Sequence, residues 1–306
     1  MHRNEPIVVA VDFTDGSRAP LSEAIRIARW NSAPIKVVHV VDIVVARALE
    51  DALSELQRDI RAGLLRDAQS GWTAFAATVP GAADLPIEVR IGRPSDCIVQ
   101  AARDAKAGLL VVGANAGSDL NVGMGTVATA SVRNAPCDAL IVRGRQNGPF
   151  RSVVACVDFS KTSLRAVEEA ARIATQDDAK LHVVHVCDAP WRHTHYRAPT
   201  PEADPRVQRQ YLELLERRLR SFAGEHGSDL AYLAPTYAIA EGSSHRGGIV
   251  DYAVSVGADL VVLGRRGATN LRDLLLGSTA EKTLRQSVCS VLAVKPRPED
   301  LADDAD

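Results

Sequence analysis

The sequence runs through one long pattern twice. "VAVDFTDGSRAPLSEAIRIA" (Val9 to Ala28) returns as "ACVDFSKTSLRAVEEAARIA" (Ala155 to Ala174), and "KVVHVVD" (Lys36 to Asp42) returns as "HVVHVCD" (His182 to Asp188). Asp12 and Asp158 stand 146 positions apart, and so do His39 and His185. Later, "GLLVVG" (Gly108 to Gly113) answers "DLVVLG" (Asp259 to Gly264), and "APCDALIVR" (Ala135 to Arg143) answers "SVCSVLAVK" (Ser287 to Lys295). A unit of this length exceeds any solenoid repeat, so each copy must bury a core of its own. The polar, turn-rich "RGRQNGP" (Arg143 to Pro149) marks the boundary and gives domains at residues 1–146 and 147–306.

Within each copy, runs such as "PIVVAVDF", "IKVVHVVD", "IEVRIG" and "LLVVG" are apolar without alternation, as strands buried on both faces are. Helical patterns fall between them. The expected fold is therefore α/β: two tandem open parallel-sheet domains with helices on both faces. Polar caps mark helix starts: Thr14 and Ser17 before "PLSEAIRIARW", Ser160 and Thr162 before "LRAVEEAARIA", and Ser278 before "TAEKTLRQ". The second helix of each copy is expected in the longest interval, Ala46 to Thr78 and Pro205 to His226.

Charge narrows the function. Lys and Arg number 36 against 38 Asp and Glu, a formal charge of -2, so no general basic field recruits nucleic acid or an anionic membrane. Any anion site must be local. The opening "MHRNEPIVVAVDFTDG" reaches a turn after a short apolar run, which fits neither a signal peptide nor a spanning helix, and a cytosolic protein is expected. The five cysteines are odd in number, far apart and set in or beside apolar runs, as reduced, buried thiols are.

The local anion site has a candidate in "GRRGATNLRDLLLGST" (Gly264 to Thr279), which leaves the apolar run "ADLVVL" and enters a helix. Glycines let successive backbone amides converge on an anion, and a helix start offers free N–H groups at the positive end of its dipole. A phosphate fits such a loop; so does a plain strand-end turn at Gly264 with Ser278 as an ordinary cap. No Gly-x4-Gly-Lys-Ser/Thr occurs, which excludes a P-loop, and "GMGTVA" (Gly123 to Ala128) lacks the strand that a dinucleotide fingerprint follows. His193 and His195, with Glu202, Asp204 and His245 as helpers, have chelating spacing but no third close ligand, so a solvated loop is expected there. His39 and His185 are expected as core imidazoles bonded to backbone.

Taken together, "VDF(S/T)" after the first strand, "VVHV" in the second, "GRPSDCIVQAA", "LVVLG" and the glycine loop resemble the universal stress protein family in its tandem form. The resemblance covers nearly the whole chain. ATP-binding members carry Gly-x2-Gly-x9-Gly-Ser/Thr, and Gly264, Gly267, Gly277 and Ser278 match it at that spacing. The resemblance implies a five-stranded sheet ordered 3-2-1-4-5 in each domain, and an ATP site, with ADP or AMP as alternatives and Mg as companion. It also implies that Cys156, Val157, Asp158 and Val186 flank adenine and ribose, that Leu263 and Gly264 close over the nucleoside, and that Gly267, Gly277, Ser278, Thr279 and Ala280 hold phosphates. The last strands "CDALIVR" and "CSVLAVK" would pair into an internal pseudo-dimer, with a homodimer and a protein partner of unknown identity as further possibilities.

The first copy departs from the pattern. "GANAGSDLNVGMGT" (Gly113 to Thr126) has Ala116 at the second glycine, reaches Gly125-Thr126 one residue early, and carries Asp119 but no Lys or Arg. The nucleotide is therefore expected in the second half, with the first empty or far weaker. No water-activating carboxylate or histidine is apparent beside the second loop, which favours a binding and regulatory protein over a fast ATPase. A docking scaffold that uses no nucleotide, or a slow ATPase, is the alternative.

Overall fold

The computed structural model describes residues 4–54, 59–114, 125–144, 148–188, 205–224, 228–242, 245–266 and 276–297. Two compact units divide the chain, Met1–Gly148 and Pro149–Asp306. The first contains β1 (Ile7–Ala10), a 3-10 turn (Asp15–Ser17), α1 (Arg18–Asn31), β2 (Ile35–Asp42), α2 (Ile43–Ala52), α3 (Ile60–Ala76), β3 (Ile87–Gly92), α4 (Pro94–Asp104), β4 (Leu109–Gly113), α5 (Thr126–Asn134) and β5 (Asp138–Val142). The second contains β6 (Ser152–Val157), α6 (Lys161–Asp177), β7 (Lys180–Asp188), α7 (Pro205–Gly224), α8 (Ser228–Leu233), β8 (Thr236–Gly242), α9 (His245–Ser255), β9 (Leu260–Gly264), α10 (Ser278–Gln286) and β10 (Ser290–Val294).

The first unit's strands lie in the order β3-β2-β1-β4-β5 and the second's in the order β8-β7-β6-β9-β10, every neighbouring pair parallel. Numbered within each unit, both orders are 3-2-1-4-5, as expected. The cause is the unbroken apolar runs: Ile7, Val8 and Val9, like Val153, Val154 and Ala155, are fully buried, so consecutive residues on opposite faces both need helical cover. The order reverses beside β1 and β6, where the chain leaves for β2 and β7 on one side and is met by β4 and β9 on the other. A crevice opens there, at the carboxyl ends of the strands.

The strand-to-helix turn was not legible as such in the sequence. Phe13 (φ 62°) and Phe159 (φ 64°) are both left-handed, at a cost of roughly 1–2 kcal/mol for a residue with a β-carbon. Histidine offsets it. Phe13 stacks on His39 with ring centroids 4.2 Å apart, and Phe159 packs on His185 at 4.5 Å. Each imidazole is in turn pinned by its Nδ1 to a carbonyl at the end of the neighbouring strand, His39 to Val11 O at 2.9 Å and His185 to Val157 O at 2.8 Å. The two histidines are thus backbone-bonded, as expected, and they hold the turn that presents Asp12 and Asp158.

Three helix readings are corrected. The interval from Ala46 to Thr78 holds two helices, because Asp42 caps α2 through Val44 N–H (2.8 Å) and Asp59 caps α3 through Ala62 N–H (3.0 Å). At α6 the cap is Ser160, whose Oγ accepts from Ser163 N–H (3.1 Å); Thr162 sits inside the first turn with its methyl against Gly264. At α10 the cap is Gly277 and Ser278 is the first helical residue. Cys137, Cys187 and Cys289 are buried and Cys97 and Cys156 half-buried, all as free thiols. No helix among the described residues is long and apolar enough to cross a membrane.

Candidate functional site

In the second unit, the ends of β6, β7 and β9 and the start of α10 enclose a cleft of about 370 Å3, at the small end of the roughly 300–1,000 Å3 typical of ligand pockets. Cys156, Val157, Asp158, Val186, Leu263, Gly264, Gly277, Ser278, Thr279 and Ala280 all line it. Gly267 lies outside the described residues, as do His193 and His195. Ser163, Val184, His185, Ile249, Arg265 and Arg266 line it as well. Ile249 carried a signal that could have found it, since "GIVDYA" aligns with "CIVQAA" of the other copy.

One end of the cleft is apolar and the other polar. Val157, Leu263 and Ile249 are buried and form walls suited to a flat ring. Asp158 is the carboxylate of this cleft, and its Oδ1 accepts from Ser160 N–H (3.1 Å) and Ser160 Oγ–H (2.6 Å). Asp158 thus supports the helix start indirectly: it holds Ser160, which caps α6. At the polar end, Gly277 N–H donates to Arg265 O at 2.7 Å, and the first helical bond runs from Glu281 N–H to Gly277 O at 2.9 Å. The N–H groups of Ser278, Thr279 and Ala280 consequently precede any intrahelical partner, and a glycine cap has no side-chain oxygen to offer them. The Ser278 and Thr279 side chains are exposed beside them. Gly264 allows the close approach of this end: a β-carbon there would stand 2.9 Å from Thr162 Cγ2 and 3.1 Å from Arg266 O.

Cys156 is a neutral wall. Burial, reinforced by Cys289 and Asp158, pushes its thiol up to about 12. Below that value each pH unit removes nine-tenths of the thiolate, so alkylation at pH 8 is expected to run about a thousand-fold slower than for an unperturbed cysteine. Timed iodoacetamide labelling read by peptide mass spectrometry checks this, and labelling of the folded chain at a free-thiol rate would overturn it.

The first unit repeats the cleft in about 320 Å3. Ala10, Val11, Asp12, Val38, Val40, Ile98, Gly113 and Ala128 stand where the second has Cys156, Val157, Asp158, Val184, Val186, Ile249, Gly264 and Ala280. The one-residue deletion in the first loop does not reach the helix. Gly125 caps α5 with φ -61° and ψ 154°, against -66° and 149° at Gly277, and Gly125 N–H donates to Ala114 O at 2.8 Å just as Gly277 does to Arg265. What differs is chemistry: Ala114 replaces Arg265 and Val127 replaces Thr279.

The model of the Universal stress protein family matches residues 3–143 and again residues 149–295. The chain belongs to the universal stress protein family. Its tandem form is shared with Universal stress protein E of Photorhabdus laumondii, 22% identical over 97% of this chain and 96% of that one. A universal stress protein of Methanocaldococcus jannaschii is 28% identical over 52% of this chain and 90% of its own. Among solved structures, a universal stress protein from Archaeoglobus fulgidus superposes with a TM-score of 0.62 at 18% identity, covering 97% of this chain and 98% of that one. At that identity the likeness concerns the fold.

Proposed function

We propose that this universal stress protein is a nucleotide-binding regulatory protein that holds ATP, or ADP or AMP, in the cleft of its second unit. The observation that carries the reading is the pairing, in one cleft, of apolar walls with the unclaimed N–H groups at the start of α10. Val157, Val186, Leu263 and Ile249 suit a purine, and Asp158 can accept from ribose hydroxyls. The amides of Ser278, Thr279 and Ala280, with the Ser278 and Thr279 hydroxyls, suit phosphate oxygens. Arg265 and Arg266 supply positive charge at the same end. A Mg ion would be held mainly by phosphates and water, as is usual for that ion; among the described residues no cluster of three or more His, Cys, Asp or Glu forms a protein site.

Among the residues of the cleft, Asp158 and His185 are the groups that could take a proton from an attacking water, and both come from the ends of β6 and β7, where they hold the turn through Oδ1 and Nδ1, not from the glycine loop or the start of α10. A regulatory binder with turnover far below the enzyme median of about 10 per second follows. Mass spectrometry of small molecules released from the purified, denatured protein tests the reading. About one equivalent of an adenine nucleotide per chain is expected; its absence, together with no fluorescence response to a labelled ATP analogue, would refute it.

A further inference from the structure

The cleft of the first unit keeps the apolar end of its counterpart and, at the other end, keeps the helix start at Gly125 but not the arginine and the second hydroxyl beside it. Its walls, Val11, Val38, Ile98 and Val112, are buried and apolar, and Asp12 stands at its mouth. Asp12 is held firmly by one oxygen only: Oδ1 accepts from Thr14 N–H (3.0 Å), Thr14 Oγ–H (2.6 Å) and Ser17 Oγ–H (2.6 Å). Among the described residues Oδ2 has no hydrogen-bond partner, so an oriented acceptor is left for whatever enters. Among the described residues that line it, the opposite end offers no cation. Ala114 and Val127 stand in place of Arg265 and Thr279, and the sequence from Gly113 to Thr126 holds Asp119 with neither Lys nor Arg. An anion entering would meet the Asp12 carboxylate with only the start of α5, and no side-chain cation among the lining residues, to offset it, whereas a neutral ring bearing hydroxyl donors would meet apolar walls and a ready acceptor.

We propose that this cleft is a second, separate binding site that takes an uncharged, nucleoside-sized ligand with hydroxyl donors and rejects its phosphorylated forms. The chain would then read two states of related molecules, a phosphorylated one in the second unit and an unphosphorylated one in the first. The choice of a nucleoside as probe rests on the nucleotide reading of the second cleft, since the two share their apolar end; the preference for a neutral ligand does not.

Calorimetric titration of adenosine into the full chain, once nucleotide-free and once saturated with ATP, tests it. Adenosine is expected to bind the ATP-saturated chain at about one equivalent, and AMP to bind there at least ten-fold more weakly. Asp12→Asn, which keeps the turn's shape, should weaken adenosine roughly ten-fold to over a hundred-fold by removing a charged acceptor. Val127→Trp, at a position 40% exposed and so tolerated by the fold, should block the cleft while leaving ATP binding intact. No adenosine binding to a chain that binds ATP normally would overturn the proposal, and so would AMP binding as tightly as adenosine in the ATP-saturated chain. If ATP itself fails to bind, the nucleotide reading fails alone, and adenosine binding sensitive to Asp12→Asn in the nucleotide-free chain still upholds the first cleft.

Discussion

Gly277→Val is expected to abolish ATP binding while the protein stays folded, and Gly125→Val, the same change at the matching position, is expected to leave ATP binding unchanged. Both glycines cap a helix in extended backbone that valine adopts without strain, φ -66° and ψ 149° for Gly277, φ -61° and ψ 154° for Gly125. The cost to the fold is therefore the same small one, about 1 kcal/mol for a poorer cap, or a few degrees in Tm. The consequences for binding differ. Gly277 borders the cleft that combines Arg265, Arg266, Ser278 and Thr279, so a branched side chain there stands where phosphate oxygens would meet the first amides of α10. Losing even one charge-assisted contact costs about 1.5–3 kcal/mol, and excluding the phosphates removes several. Wild-type titration should return about one ATP per chain, Gly125→Val the same, and Gly277→Val none at accessible concentration. Two equal sites in the wild type, or half the binding lost in Gly125→Val, would overturn the asymmetry.

That contrast was partly legible before any coordinates. The runs around Val9, Val37, Val111 and Val154 could only be doubly covered strands, because apolar residues without alternation leave no face for water. The glycine spacing likewise pointed to Gly264, Gly277 and Ser278, and all three border one cleft. Local geometry resisted for physical reasons. Nothing in "VDF" announces a left-handed phenylalanine, since the residue that stabilises it, His39 or His185, comes from another strand 26 positions on. Ser278 looked like a cap because serine usually is one; Gly277 ahead of it takes that place and leaves the hydroxyl exposed for other use. The break between α2 and α3 was missed because Asp59, an acid in a helical pattern, reads as a solvated face until its side chain is seen on Ala62 N–H. The shortened first loop looked like a defect in spacing, yet the matching bonds from Gly125 to Ala114 and from Gly277 to Arg265 show both helices entering alike.

Because both helices enter alike, the second unit's preference should be transferable. Replacing residues 115–127 with the sequence of residues 266–279 exchanges Asp119 for Asp273 and brings in Arg266, Gly267, Arg272, Ser278 and Thr279 at once. The flanks are prepared for it. Gly113 matches Gly264, Ala128 matches Ala280, and the carbonyl that receives the capping glycine, Ala114 O or Arg265 O, is in place in both units. Ala114 is best retained, since Arg265 is only 3% exposed and its buried side chain needs surroundings that the first unit was not built to give. Each new charge-assisted contact contributes about 1.5–3 kcal/mol, and two of them amount to roughly a hundred-fold or more in affinity. The grafted chain is expected to bind about two ATP per chain by calorimetry, and the second equivalent should vanish when the glycine introduced before the new Ser-Thr pair is changed to valine. A graft that folds, keeps the original ATP site and gains no second one would show that the loop does not set the preference, and would shift the cause to Arg265 and the buried neighbours that hold it.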